Sequence, residues 1–209
     1  GIYYLGAGYQ VAMEDLRLRG AGNILGESQS GHIAKIGLDL FLEMLENEVS
    51  RIKGEPLRER SEPELNIGFT ANIPETYVED PKQRLSYYKA LTSAGDHDTR
   101  REVMMDIRDR FGVLPDELKR FIKVLEFKEV LSGLQVVKAD LFPGVVKLSW
   151  EENTSAISPD HLIEWVGKRS ERARLLPPST LELRLDENKA IRERLGDAAN
   201  ELSQLRNAT

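Results

Sequence analysis

The sequence contains no cysteine among its 209 residues and only three histidines. Disulfide bonds and thiolate metal sites are therefore excluded, and the composition fits a reducing compartment. His32, His97 and His161 are scattered, and none has a second histidine four residues away. Because a metal site needs clustered ligands, we expect this chain to bind no metal.

The sequence also lacks long apolar runs. Its longest runs fall well short of the roughly 20 residues that a membrane-spanning helix needs, and no signal peptide opens the chain. We therefore expect a cytoplasmic protein without membrane contact. The chain starts at Gly1 rather than at a methionine, and we expect it to be a fragment of a protein that continues upstream.

Motifs for nucleotide binding or catalysis are missing as well. The pairs Gly6-Ala7-Gly8 and Gly20-Ala21-Gly22 do not extend to G-x-G-x-x-G, and no G-x-x-x-x-G-K-[ST] or G-x-S-x-G occurs. No pair of carboxylates stands in a catalytic context. We expect this fragment to lack an ATP site, to bind no cofactor and not to be an enzyme.

The overall composition is that of a folded, acidic protein. Hydrophobic residues make up 40% of the chain and charged residues 31%, which is typical of a globular domain. The net charge is −6, from 29 lysines and arginines against 35 aspartates and glutamates. The surface as a whole therefore does not attract a polyanion, although a local basic face is compatible with this total.

A glycine-rich stretch, residues 6–31, is the most distinctive part of the sequence. Seven of the sixteen glycines fall within the first 31 residues, beside arginine and glutamine side chains. A loop of this kind can contact a phosphate backbone or a neighbouring domain. A structural loop packed on its own domain is the alternative that the spacing leaves open.

The order of residues in this stretch resembles a motif of DNA translocases. Asp15-Leu16, Arg19-Gly20, Gly22, Gly26 and Gln29-Ser30-Gly31 are similar to the segment that follows the last helicase motif in RecG helicases and in bacterial transcription-repair coupling factors (Mfd), members of helicase superfamily 2. The resemblance implies that residues 1–35 end the second helicase lobe. It also implies a helical hairpin and loop at 6–31 that couple ATP hydrolysis to movement on duplex DNA.

The resemblance assigns roles to individual positions of this motif. Arg19 and Gln29 would be the coupling residues, with Arg17 as a further residue at the DNA. The positions that would shape the motif are Asp15, Gly20, Gly22, Gly26, Ser30 and Gly31.

The rest of the chain predicts an α+β fold. An apolar stripe predicts a connecting helix over 36–53, and a charged linker follows before a C-terminal domain within 54–209. In that domain, apolar periodicity and capping residues predict helices packed on a small mixed or antiparallel sheet. The predicted strands are 64–69, 134–141, 145–150 and 180–185, an extended segment covers 73–81, and the predicted helices are 81–94, 96–111, 116–131, 158–167 and the tail from 187.

Three further segments extend the family resemblance into this domain. Residues 73–78 (IPETYV), 84–89 (RLSYYK) and 109–115 (DRFGVLP) look like the C-terminal domain of transcription-repair coupling factors, up to about Leu131. RecG helicases have only a short tail after the shared motif, so a domain of this size favours the coupling factors.

The resemblance implies an ATP-dependent translocase that removes stalled RNA polymerase from DNA lesions and recruits excision repair. The parent protein would bind ATP and Mg, double-stranded DNA, RNA polymerase and the excision-repair damage-recognition protein. The C-terminal domain would dock on the N-terminal repair-protein-binding region of the same chain and act as an autoinhibitory module. Two alternatives remain open: a purely structural domain that braces the motor lobe, and nucleic-acid binding through Arg169, Arg172 and Arg174.

Overall fold

The computed structural model describes residues 63–206, except 153 and 155. The predicted translocation motif and the predicted helix at 36–53 lie outside these residues. The described residues belong to two compact units, one formed by 70–122 and the other by 63–69 and 123–206. Within the described part, no helix has the length and apolar content needed to cross a membrane.

The first unit is helical. It contains α1 (Pro81–Ser93), α2 (His97–Phe111) and the beginning of α3 (Asp116–Gly133). The carboxylate of Asp80 accepts a hydrogen bond from the Lys82 N–H, and that of Asp96 accepts one from the Thr99 N–H. These bonds satisfy N–H groups that a helix start leaves unpaired, so Asp80 caps α1 and Asp96 caps α2.

The core of the first unit is built from apolar side chains at helical spacing. The buried residues include Leu85, Tyr88 and Leu91 of α1, Ile107 of α2, and Leu118, Phe121 and Ile122 of α3. The rings of Tyr88 and Phe121 meet edge to face, with centroids 5.1 Å apart, an arrangement that aromatic pairs favour. The apolar periodicity that predicts the helix at 81–94 therefore identifies the face of α1 that packs in the core.

The second unit contains a five-stranded mixed sheet. Its strands are β1 (Glu64–Ile67), β2 (Lys138–Leu141), β3 (Val145–Ser149), β4 (Ala173–Leu176) and β5 (Thr180–Arg184). They lie in the order β1-β2-β3-β5-β4. Only β1 and β2 run parallel; the other three neighbouring pairs are antiparallel. The predicted α+β class with a small mixed sheet is confirmed.

The two faces of this sheet differ in polarity. One face carries the buried side chains Leu65, Ile67, Ala139, Leu141, Val146, Leu148, Leu181 and Leu183. On the other face a row of polar residues crosses all five strands in register: Asn66, Asp140, Lys147, Glu182 and Arg174. This alternation is what a sheet with one core-facing side requires.

Three helical segments complete the second unit: residues 123–133 of α3, α4 (Pro159–Gly167) and α5 (Ile191–Ser203). Both tryptophans of the chain are buried here. The Trp150 indole N–H donates to the Leu134 carbonyl at 2.8 Å, and that of Trp165 to the Glu201 carbonyl at 3.1 Å. Each indole thus fixes the end of a helix to a neighbouring element.

Two predicted segments differ from the structure because the backbone bonds locally. The predicted strand at 134–141 is regular only from Lys138, since the amides of Leu134 and Val136 donate to the Leu131 carbonyl at the end of α3. The segment 73–81, predicted to be extended, contains a turn in which the Pro74 carbonyl accepts from Tyr77 and Val78.

Strand β4 and the burial of Glu182 are not predicted by the sequence. Strand β4 has only four residues and lies at the edge of the sheet, and the arginines around it interrupt any apolar pattern. Glu182, which the alternation of β5 places on the polar face, is only 7% exposed because Lys147 and Arg174 flank its carboxylate at 3.7 and 2.9 Å.

Candidate interaction site

The residues predicted to couple ATP hydrolysis to movement lie outside the described part of the chain. These are Arg17, Arg19 and Gln29, together with the motif-shaping residues Asp15, Gly20, Gly22, Gly26, Ser30 and Gly31. Their roles stay predictions. The candidate site described below is formed by the three later segments of the family resemblance.

These three segments, 73–78, 84–89 and 109–115, come together in the first unit. The Tyr77 hydroxyl donates to the Gly112 carbonyl at 2.7 Å, although 35 residues separate the two positions. Phe111 lies 5.8 Å from the ring of Tyr77 and 5.8 Å from that of Tyr87, with an edge-on approach to Tyr87. We call this arrangement, formed by Tyr77, Tyr87, Phe111 and Gly112, the motif cluster.

Arg84 fixes the segment that leads into α1. Its side chain is buried, with only 3% exposure of the residue, and Nη1 donates to the carbonyls of Val78 at 2.6 Å and Glu79 at 2.9 Å. Among the described residues no carboxylate pairs with this guanidinium. Backbone dipoles therefore stabilise its charge, and the arginine in turn holds an irregular segment in place.

Tyr88 fixes the beginning of the same segment. The Ile73 N–H donates to its hydroxyl oxygen at 2.6 Å, and the side chain is fully buried. Burial strongly raises the pKa of Tyr88, while the Ile73 hydrogen bond and Arg84 lower it less. Burial also raises the pKa of Tyr77, with a smaller contribution from Tyr87.

Gly112 gives the loop between α2 and α3 its shape. Its backbone has φ 94° and ψ −161°, a combination that is essentially restricted to glycine. Its N–H donates to the Arg108 carbonyl and ends α2, while the Pro115 carbonyl accepts from Leu118 and Lys119 at the start of α3. The loop is thus hydrogen-bonded at both ends.

This fixed loop presents an aliphatic side chain to solvent. Val113 is 84% exposed, the highest value among the exposed large hydrophobic residues of the described chain. In the sequence, Gly112 and Val113 stand between the end of one predicted helix and Leu114-Pro115. Periodicity alone identifies this stretch as a break between helices and does not predict that Val113 is exposed. An exposed aliphatic side chain on an ordered loop is suited to contact another protein surface.

The three arginines considered for nucleic-acid binding are paired within the second unit. Arg169 and Arg172 both contact the Glu201 carboxylate, at 3.0 and 2.9 Å, and Arg174 contacts Glu182. The Arg169 guanidinium also lies over the Trp165 ring, 4.1 Å from its centroid. Each of these arginines is thus paired with a glutamate, so the geometry does not favour a site for a phosphate backbone.

A metal site is not found in the part of the chain that the structure describes: no group of three or more histidine, aspartate or glutamate side chains there is placed to hold an ion. His161 lies 2.9 Å from the Gln204 carbonyl through Nε2, a contact between α4 and the end of α5.

Comparison with known proteins places the motif cluster inside a recognised domain. Residues 67–161 match the family model of the TRCF domain, which reaches beyond Leu131. A transcription-repair-coupling factor of Myxococcus xanthus is 39% identical over 137 residues, covering 66% of this chain and 11% of the relative. The factor of Bacillus subtilis is 36% identical over 155 residues, covering 73% and 13%.

The factor of Escherichia coli is 32% identical over 185 residues, covering 85% of this chain and 16% of the relative. The chain thus spans between 11% and 16% of the length of these three relatives. A crystal structure of the C-terminal domain of a transcription-repair coupling factor aligns with a TM-score of 0.57 and 19% identity, covering 72% of this chain and 98% of that domain. This structure supports the fold.

Replacement of Gly112 tests the geometry of the loop. We expect Gly112→Ala to lower the free energy of unfolding by about 1–3 kcal/mol, because a Cβ strains a backbone with positive φ. Gly95→Ala is the matched control, since no atom lies within 4 Å of the added Cβ and its φ is not positive. Urea unfolding of both variants makes the comparison; equal stabilities would show that the loop geometry contributes nothing.

The buried Tyr88 hydroxyl predicts a loss of stability in alkali. Because burial raises the folded pKa above the unfolded value of about 10, its contribution is complete below pH 10 and decreases as the pH rises further. Urea unfolding between pH 8 and 11 should show a steeper decline above pH 10 for the wild type than for Tyr88→Phe. Parallel declines would contradict the assignment to Tyr88.

Proposed function

Because this chain belongs to the transcription-repair coupling factor family, we propose that it is the C-terminal part of an ATP-dependent DNA translocase that couples transcription to DNA repair. The observation that carries this proposal is the similarity to coupling factors over 66–85% of the chain, together with the convergence of three family segments in one cluster. The parent protein would bind ATP and Mg outside this fragment.

The proposal assigns residues 6–31 to the motor. Arg19 and Gln29 would link movements of the motor lobes to the DNA backbone, with Arg17 beside them. Arginine suits this role because its planar group forms two hydrogen bonds to a phosphate at once. The parent would bind double-stranded DNA through this region and through upstream parts of the motor.

The C-terminal domain would act as a protein-interaction and autoinhibitory module. We assign its docking contact to Val113, because its loop is fixed by hydrogen bonds and loses little conformational entropy on binding. Charged residues precede the valine in sequence, Asp109 and Arg110, and both are exposed. An apolar contact with a polar surround is typical of interfaces that open and close rather than of permanent ones.

The partner proposed for this surface is the N-terminal repair-protein-binding region of the same protein. Docking there would hinder the damage-recognition protein until the domain is released. A structural domain that only braces the motor lobe is the second candidate. The two candidates predict opposite effects of removing the domain. Loss of an autoinhibitory domain increases the ATPase of the parent, whereas loss of a domain that stabilises the motor lobe decreases it.

Substitution of the coupling residues tests the motor assignment. In the full-length parent, Arg19→Ala or Gln29→Ala should leave most DNA-stimulated ATP hydrolysis in place and impair displacement of a triplex-forming strand from duplex DNA. Energy would still be released by hydrolysis, but the contact that converts it into movement would be lost. A proportional loss of both activities would argue against a coupling role.

Removal of residues 36–209, or the single change Val113→Asp, tests the autoinhibitory role of the C-terminal domain. Both should raise the DNA-stimulated ATPase of the parent and its affinity for the damage-recognition protein. The deletion removes the docking domain, and the substitution places a carboxylate at an apolar contact, where its burial is costly. Ile163→Asp is the matched control, an exposed aliphatic residue of the second unit. If neither activity rises in a folded Val113→Asp protein, Val113 is not the docking contact; if the deletion also fails to raise them, the domain is not autoinhibitory.

A further inference from the structure

Strand β4 forms an edge of the sheet in the second unit. It pairs with β5 on one side, and no other described strand neighbours it. An edge strand presents backbone groups that can pair with another chain. Which groups point outward follows from the register.

The hydrogen bond from the Arg184 N–H to the Arg172 carbonyl, 2.8 Å, defines this register. Because bonded pairs alternate in an antiparallel ladder, Arg174 and Leu176 bond to β5, whereas the backbone groups of Ala173 and Leu175 point away from it. The Ala173 N–H is bonded to the Arg169 carbonyl. The Ala173 carbonyl and both backbone groups of Leu175 therefore face outward.

Side chains beside this edge are apolar and positively charged. Leu175 is 41% exposed, although it belongs to the apolar face of the sheet, and helix α4 is the neighbouring element. On the opposite face, Arg174 uses its Nε to contact Glu182. Its side chain is nevertheless largely exposed, so donors remain for a second carboxylate.

A second copy of this chain does not suit the edge. Two β4 strands in antiparallel pairing would bring Arg172 and Arg174 of one copy close to those of the other, and like charges across a pair are destabilising. The strand has only four residues and is followed by Pro177-Pro178, which limits pairing to a short segment. The exposed Nη groups of Arg174, which the contact with Glu182 does not use, favour a partner that supplies a carboxylate.

Strand β5 shows which residues are complementary to β4. Glu182 stands opposite Arg174, and Leu181 stands opposite Leu175. We propose that the outer edge of β4 binds a short extended segment of a partner protein in which acidic and aliphatic residues alternate. Its carboxylates would pair with Arg174, its aliphatic side chains would cover Leu175, and its backbone would pair with Ala173 and Leu175. This surface is independent of the docking contact assigned to Val113.

The test uses the full chain and a synthetic seven-residue peptide of alternating leucine and glutamate, with lysine replacing glutamate in the control peptide. We expect weak binding of the acidic peptide, with a Kd on the order of 100 μM to 1 mM. Backbone amide NMR shifts should be centred on residues 173–176. The lysine peptide should not bind, because Arg174 would repel it.

Leu175→Pro is the decisive variant, because the Leu175 N–H points outward and its loss leaves the bonds between β4 and β5 intact. It should weaken binding by about tenfold or more, the effect of losing one backbone contact and an apolar cover. Leu175→Thr keeps the N–H and should bind more tightly than Leu175→Pro. Arg174→Gln should reduce the preference for the acidic peptide over the lysine peptide.

Three outcomes would overturn the proposal. One is failure of the acidic peptide to bind at millimolar concentration, and another is unchanged binding to a Leu175→Pro chain whose amide spectrum is that of a folded protein. The third is concentration-dependent dimerisation in sedimentation experiments that Leu175→Pro abolishes. That result would assign the edge to a second copy of this chain rather than to an acidic segment.

Discussion

The first unit depends on one constraint, the need to satisfy backbone polar groups in a segment without regular structure. Residues 73–80 precede α1 and form neither a helix nor a strand. Side chains supply the partners instead: Tyr88 accepts from the Ile73 N–H, and Arg84 donates to the Val78 and Glu79 carbonyls. Since an unpaired buried backbone group costs about 1–3 kcal/mol, these bonds decide where the segment lies. The Tyr77 hydroxyl is thereby positioned to reach the Gly112 carbonyl, which connects the segment to the loop that carries Val113.

Much of the fold could be predicted from the sequence because its signals are local. Asp80 before Pro81 and Asp96 before α2 identify helix starts, and alternating leucines identify β5. Strand β4 could not be found in this way, because its assignment depends on pairing with β5 rather than on its own composition. The burial of Glu182 has the same origin, since the two cations that flank it come from neighbouring strands.

The candidate site was predictable only in part. The family resemblance identified the three segments, but their distances in sequence gave no information on which side chains meet. Phe111 contacts two tyrosines from different segments, and Gly112 adopts a backbone conformation that its sequence position alone does not reveal. The pairing of Arg169 and Arg172 could not be predicted, because the glutamate that contacts both is supplied by α5, about 30 residues later.

The two buried tryptophans give the second unit a spectroscopic signature of its own. Trp150 and Trp165 are the only tryptophans of the chain, and both belong to this unit, where their indole groups donate to backbone carbonyls. Selectively excited tryptophan emission therefore reports on the sheet and its helices, while the described part of the first unit contributes only tyrosines. Unfolding followed by emission and by tyrosine absorbance would show whether the two units lose their structure together or in separate steps.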